Sequence, residues 1–410
     1  MKDVLDFNKA DSGGMLPKAA GKDMHLLDYI NSYDDWEIRL KNFPFNLLVK
    51  HDGDYVLLKY NQLDSDMFFR VVREARGPIF KVNEEGKYEY VCRPFEKFFN
   101  YGEDLAAEVD WKKAKVTEKI DGSLMKLWFD KDKWHLSTNG TIDAFVAEAD
   151  ESGITFGEIF ERALGGKVEE SFSGLDTRYT YLFEMTSPET KIVIPYGDGI
   201  YYLSRIENET GIQERPPVMG EVAGKEEKEL MEKMAGLGIK SPAFYALYNL
   251  EAVIDNTEVV PKDVNGIVLR EGCVVNDGVN MIKVKSPMYF EQHHALGNGI
   301  LSYKRIIESL KDESADDLSV LSPDFASKIS FTKDLIEGLA LKYDEEWDKA
   351  KNFAHLERRD FARSIQGLNY SDYLFKKYDN KDVRAVDFIL TLPTSSIIKR
   401  LNIKEISIER

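Results

Sequence analysis

The stretch KIDGSLMKLWFDKDKWHLST, residues 119–138, decides how this chain is read. Its segments LMKLWFD (124–130) and KWHLST (133–138) carry the aromatic and apolar content of strands and flank Lys131-Asp132, which predicts an antiparallel hairpin. Ahead of the hairpin stands Lys119-Ile120-Asp121-Gly122-Ser123, a K-x-D-G-S element. Transfer of a nucleotide through lysine needs a primary amine beside the α-phosphate. Such an amine attacks only without its proton, a form favoured by a neighbouring cation, and Asp121 is placed to hold one. Gly122 lets the backbone approach a nucleotide where a side chain would block it. Five residues standing alone are more often a turn with a solvated lysine, so their surroundings decide.

Outward from the hairpin the pattern is of short strands. YVLLKY (55–60), YEYVCRPF (88–95), YTYLFEM (179–185), KIVIPY (191–196), IYYLSRI (200–206), GIVLR (266–270) and NMIKVK (280–285) all read as strands, with helices expected at 142–149, 155–164 and 225–236. The first 30 residues, with Gly13-Gly14, read as a loose lead-in. Beyond Pro287 the character changes: Leu335, Leu339, Tyr343 and Trp347 recur every four residues within 331–353, and further helical pieces are expected near 357–366, 370–378, 382–389 and 395–402. The fold expected is α+β, with antiparallel sheets over residues 1–286 followed by an all-α domain over 287–410.

Composition bounds the function. A chain of 410 residues with 43% hydrophobic content buries a large core, and two cysteines, Cys92 and Cys273, are too few for a disulfide framework or a zinc cluster. No long apolar run predicts a membrane span, no secretory signal is expected at the start, and a cytoplasmic setting follows. The net charge of −17 argues against a general duplex-DNA binder. Residues 286–410 hold 19 Lys/Arg and 21 Asp/Glu, leaving 36 and 51 for residues 1–285, so the acid excess lies in the first part and a specific RNA end or loop remains open as partner. There is no P-loop sequence, no H-E-x-x-H and no nucleophile elbow. His293-His294 reads as a surface pair, and the Trp and Tyr of the C-terminal helices read as core.

The K-x-D-G element is followed, in order, by Glu184 in LFEM (182–185), by Asn265-Gly266-Ile267-Val268, and by Lys283-Val284-Lys285, two lysines that a strand would place on one side. That order resembles the covalent nucleotidyltransferases, which comprise DNA ligases, RNA ligases and capping enzymes. REARGPIF (73–80), RPFEKFFN (93–100), STNGT (137–141) and FEMTSPETKIVIPY (183–196) are similar to elements of the bacteriophage RNA ligase 1 family, the T-even tRNA-repair kind. The resemblance runs from about Tyr55 to Lys285. It implies a ligase-type nucleotidyltransferase domain and an ATP-dependent RNA ligase working through lysyl-AMP, with Mg²⁺ or Mn²⁺. The partner implied is RNA, specifically a tRNA nicked in its anticodon loop, in a phage-infected bacterial cytoplasm, and the enzyme is expected to act as a monomer.

By the same resemblance Lys119 is the nucleophile. Arg76 and Lys97 contact ATP phosphates, Phe99 packs in the nucleotide pocket, and Gly122 lies against the nucleotide. Glu184 binds ribose or metal together with Asp121, while Lys283 and Lys285 hold the α-phosphate and orient pyrophosphate. Two positions depart from the family. Asn265 stands where the metal-side element has Glu, which weakens divalent-metal binding. Asn139 stands where lysine is expected, removing a charge-assisted contact worth about 1.5–3 kcal/mol if buried. Competing readings are a DNA ligase or capping-type enzyme, against which the helical C-terminal region counts because those enzymes place an OB-type barrel there, and an RNA-binding homologue with impaired catalysis, which the two asparagines favour.

Overall fold

A computed structural model describes residues 22–403 except 151, 191–195, 218–223, 259–261, 264–265, 268–271, 286–301, 312–314 and 316–322. The chain divides into two compact units, Met1–Phe98 with Asp121–Ala243, and Phe99–Ile120 with Phe244–Arg410.

The first unit is built on two antiparallel sheets. One has the order β1-β2-β3-β4, from β1 (Leu48–Asp52), β2 (Tyr55–Lys59), β3 (Arg76–Val82) and β4 (Tyr88–Cys92). The other joins β7 (Ser123–Asp130), β8 (Lys133–Thr138), β9 (Tyr179–Thr186), β10 (Gly199–Glu207) and β11 (Gln213–Glu214) in the order β11-β10-β9-β7-β8. Alternation along each strand gives each sheet two buried faces. Helices α1 (Leu26–Ser32) and α2 (Trp36–Lys41) lay Leu26, Tyr29, Trp36 and Leu40 on Val56, Leu58 and Phe80. The other side of that sheet offers Leu57, Ile79 and Val91 to Trp128 of β7. On the far side of the second sheet, Met125, Leu127, Phe183 and Met185 pack with Ile159 and Phe160 of α4 (Phe156–Leu164) and Met234 of α6 (Lys225–Gly236). Between these helices lies the short α5 (Val168–Ser171), and α3 (Arg70–Glu74) leads into β3.

The second unit contains β5 (Phe99–Asn100), β6 (Lys115–Lys119), β12 (Phe244–Tyr245), β15 (Gly272–Asn276) and β16 (Met281–Lys285) in the order β12-β6-β15-β16-β5. All pairs are antiparallel except β16 with β5. The hairpin β13 (Lys262–Asp263) and β14 (Gly266–Ile267) lies apart from that sheet in hydrogen bonding. Helix α7 (Leu250–Glu258) covers one face, packing Val253 on Val116, Cys273, Val275, Ile282 and Val284. Helices then run at Tyr303–Lys311, Pro323–Ala350, Arg358–Ser364, Ser371–Asp379, Ala385–Thr391 and Thr394–Leu401. No described helix is long and apolar enough to cross a membrane.

The α+β class with a helical C-terminal region is therefore as the sequence predicts, and three local expectations are corrected. Residues 142–149 form turns and bends with Glu148 bridged to Thr155, because the Ala144 N–H donates to the Leu136 carbonyl (2.8 Å) and the Ala144 carbonyl accepts from Gly157 (2.9 Å), which uses the backbone groups a helix would need. The lead-in contains α1, whose Leu26 N–H is capped by the Glu74 carboxylate at 2.7 Å; residues 1–21 lie outside the described residues. In the long helix the buried stripe is Ile329, Ile336, Leu339, Tyr343 and Ala350 rather than a strict repeat of four. A period of four drifts by about 40° per step around a 3.6-residue helix, so Leu335 and Trp347 lie only partly buried. Tyr343 and Tyr373 are fully buried, as core residues should be. Of the strand expected at 191–196 only Tyr196 is described, and His293-His294 lie outside the described residues.

Phe160 anchors the first unit's helical layer, with Phe172 and Phe183 rings 6.3 and 5.8 Å away. Phe160→Ala should lower unfolding free energy by about 3–5 kcal/mol in urea titration, whereas Phe331→Ala, at a half-exposed position, should stay within about 0.5 kcal/mol. Equal effects at the two sites would contradict this placement of the core.

Candidate active site

Lys119 ends β6, and its place follows from the pairing of three strands. Gly272 of β15 stands opposite Lys119 on one side and Lys285 on the other, while Val274 stands opposite Thr117 and Lys283. Residues directly opposite in antiparallel strands share a face. Lys119, Lys283 and Lys285 therefore lie on one face, and the alternate residues Val116, Cys273, Val275, Ile282 and Val284 form the apolar face under α7. Adjacent strands are about 4.8 Å apart, so the backbones of Lys119 and Lys285 are about 10 Å apart with only glycine between them. A Cβ on Gly272 would fall inside the Val284 carbonyl and 2.8 Å from Lys285 Cα, at a φ of +155°. Glycine thus both permits the pairing and leaves the row between the two lysines bare. Phe99, in β5, is buried and stands beside Ile282 in parallel register.

The first unit holds the other candidates. Asp121 is buried at 4% exposure, and Gly122 follows it into β7. A Cβ on Gly122 would penetrate the Met185 carbonyl and lie 3.1 Å from Glu184 Cγ, so the bare backbone lets Asp121-Gly122 close against Glu184. Glu184 is opposite Leu124 in the β7–β9 ladder and shares its face with Lys126, which is opposite Leu182 and Ser137. Arg76 opens β3 with its guanidinium 5.3 Å from the Phe98 ring centroid, and Lys97 lies 5.6 Å from that of Tyr60. Structure thus brings Lys119, Lys283 and Lys285 together in one unit and Gly122 against Glu184 in the other, where Asp121 is the buried residue before Gly122. Asn265 lies outside the described residues.

Sequence reading passed over three residues that the structure makes prominent. Lys59 pairs with Arg76 in the β2–β3 ladder, Gly272 separates two lysines, and Lys126 is fully buried with its ammonium donating to the Gly77 carbonyl. Burial pushes the neighbouring Cys92 thiol up, while the positive charge of Lys126 pulls it the other way. The signal for Lys126 was present as a lone charge inside the apolar run LMKLWFD.

The RNA ligase family profile matches residues 74–289, just over half of the chain. This chain belongs to the RNA ligase 1 family. The RNA ligase of Rhodothermus phage RM378 is 24% identical over 380 residues, covering 79% of this chain and 83% of that protein. RNA ligase 1 of bacteriophage TS2126 is 29% identical over 180 residues, covering 41% and 43%. A solved Naegleria gruberi RNA ligase mutant with ATP and Mn is 17% identical, covering 44% of this chain and 51% of that one, at a TM-score of 0.33. Membership makes the chain an RNA-joining enzyme and RNA its substrate.

Close approach at Gly122 gives a direct check on this ligase. Gly122→Ala should keep its far-UV circular dichroism yet lose about a hundredfold in RNA joining, because the methyl pushes the Asp121-Gly122 backbone away from Glu184 by about an ångström. Unchanged joining would contradict the geometry.

Proposed function

We propose that this chain seals RNA by an ATP-dependent route in which Lys119 is transiently linked to AMP. The observation that carries this reading is the row Lys119–Gly272–Lys285 with Lys283 two residues along, three cations on one face of a sheet whose other face is core. In the first step Lys119 Nζ, having lost a proton, bonds to the α-phosphorus of ATP as the bond to pyrophosphate breaks. Lys283 and Lys285 neutralise the charge that develops on the α-phosphate and the departing pyrophosphate. Arg76 and Lys97 bind phosphate oxygens, Arg76 through the paired donors of its planar fork. Phe99 packs against the nucleotide, Gly122 admits it, and Glu184 takes the ribose or a metal.

In the second step the 5′-phosphate of an RNA end attacks the AMP phosphorus and the bond to Lys119 breaks, leaving the RNA end activated. A 3′-hydroxyl then attacks that 5′-phosphate, gives up its proton, and AMP departs. Holding attacker and leaving group in line supplies most of the rate enhancement.

The donor set around Gly122 fits a Mg²⁺ or Mn²⁺ ion. Glu184, which the bare Gly122 lets come close, and the buried Asp121 that precedes Gly122 are hard oxygen donors, and such ions are bound by one or two carboxylates together with substrate phosphates. Among the described residues there is no larger cluster of metal-capable side chains. When bound, the ion supplies positive charge against the phosphates. Asn265 would add a neutral oxygen at most. The helices beyond residue 287 would form a separate domain that selects the RNA, for which a tRNA broken in its anticodon loop is the substrate we infer, in the cytoplasm of a phage-infected bacterium.

With α-labelled ATP and Mg²⁺ the wild-type chain should acquire a covalent label on a denaturing gel, with α-labelled GTP it should not, and Lys119→Ala should stay unlabelled. The wild type should then join 5′-phosphate and 3′-hydroxyl ends of RNA in preference to DNA, and a nicked tRNA in preference to unstructured RNA. Label retained by Lys119→Ala would overturn the nucleophile, and equal use of GTP or of DNA ends would move the chain to a capping-type or DNA-joining role.

A further inference from the structure

Lys126 is a charged residue set in the middle of the otherwise apolar run LMKLWF of β7. It is 0% exposed, its neighbours Leu127 and Trp128 are equally buried, and it points into the layer between the two sheets of the first unit. An ammonium in such a place costs several kcal/mol to desolvate, and a well-packed apolar side chain of similar volume would often stabilise the fold more. The ammonium donates directly to the Gly77 carbonyl.

Gly77 packs directly on the Asn139–Gly140 turn that follows β8. At φ +81° only glycine is unstrained, and a Cβ there would press into the Asn139 carbonyl and lie 2.9 Å from both Asn139 Cα and the Lys126 ammonium. Lys126 Nζ is therefore within about 6 Å of Asn139 Cα, the two 2.9 Å separations setting the limit. Other cations border the same turn. Lys50 Nζ donates to the Gly140 carbonyl at 2.5 Å, and Lys59 Nζ lies 3.3 Å from where a Gly140 Cβ would be. Arg76, joined to Gly77, is the cross-strand partner of Lys59, so two cations stand side by side in that ladder. Arg76 Nη1 and Asn139 Oδ1 are both buried without a hydrogen-bond partner among the described residues.

We propose that Lys126 is a positioning residue that clamps Gly77 against the Asn139–Gly140 turn, keeps Arg76 and Lys59 directed at the phosphates of the nucleotide substrate, and supplies from β7 the positive charge absent at Asn139. This rests on the ATP-binding role proposed above for Arg76 and goes beyond it. The ammonium is sealed from solvent, so it acts through Gly77 and through its field on an adjoining phosphate rather than as a group that touches the reacting atoms. Its charge reaches the turn from β7, the strand paired with β8, which leads into Asn139.

ATP affinity, measured by calorimetry in full-length Lys119→Ala so that no transfer occurs, tests the proposal. In that background Lys126→Met should weaken ATP binding about tenfold or more. Lys126→Gln, which keeps a donor to Gly77 and loses the charge, should fall between Met and Lys. Adding Asn139→Lys to either variant should recover most of the affinity. In the protein with Lys119 intact, half-saturating ATP for self-labelling should rise more than the maximal rate falls. A structural lysine would behave differently: its apolar replacement would leave the melting temperature level or raised and ATP affinity unmoved. Unchanged affinity in both Lys126 variants, or failure of Asn139→Lys to improve either, overturns the proposal. Should Lys126→Met fail to fold, the Gln variant with and without Asn139→Lys decides between the same two outcomes. Absence of covalent label from the unmutated chain would instead overturn the lysyl-AMP reading while leaving the affinity result to decide the role of Lys126.

Discussion

The pairing of β15 with β6 on one side and β16 on the other is the constraint from which the candidate chemistry follows. Side chains alternate faces along a strand, so a slip of one residue in either ladder would carry Lys119 or the Lys283/Lys285 pair into the apolar layer under α7. That slip is opposed by Val116, Cys273, Val275, Ile282 and Val284, all buried against α7. Burial of those five side chains, each worth on the order of 1.5–3 kcal/mol, fixes the register that gathers the three cations. The core thus determines where the lysines stand, and Gly272 keeps the space between two of them free.

The first unit uses glycine in a related way. Gly122 and Gly77 are both points where a methyl group would collide with backbone, at Met185 and at Asn139 respectively. One brings the backbone beside Asp121 against Glu184, and the other brings the Lys126 ammonium onto a carbonyl beside Arg76. Close backbone packing, rather than long flexible side chains, sets the positions of the groups assigned to nucleotide and metal.

Much of the architecture was legible from the aromatic and apolar content of short segments. Strands such as β7, β8, β9 and β10 carry dense aromatic and apolar residues and fell close to their predicted bounds. Strands β1 (LVKHD) and β6 (KVTEK) escaped because charge dominates them and they are held by their neighbours, not by their own pattern. Helix 142–149 was misread because its alanines and Phe145 fit a helical face, while the backbone groups were already committed to β8 and the start of α4. Of the candidate site, the lysines at 119, 283 and 285 were visible as motifs. Gly272, Lys59 and Lys126 were not, since their importance comes from pairing across strands distant in sequence. A single lysine in an apolar run looks like noise until the carbonyl it meets, 49 residues away, is known.

Peptide mass mapping of the chain after reaction with ATP tests the central claim most directly, because it asks which of the three cations on that face receives the nucleotide. The AMP adduct should be found on the peptide containing Lys119, with Lys283 and Lys285 unmodified. An adduct on either of the latter, or on a lysine outside that sheet, would contradict the account.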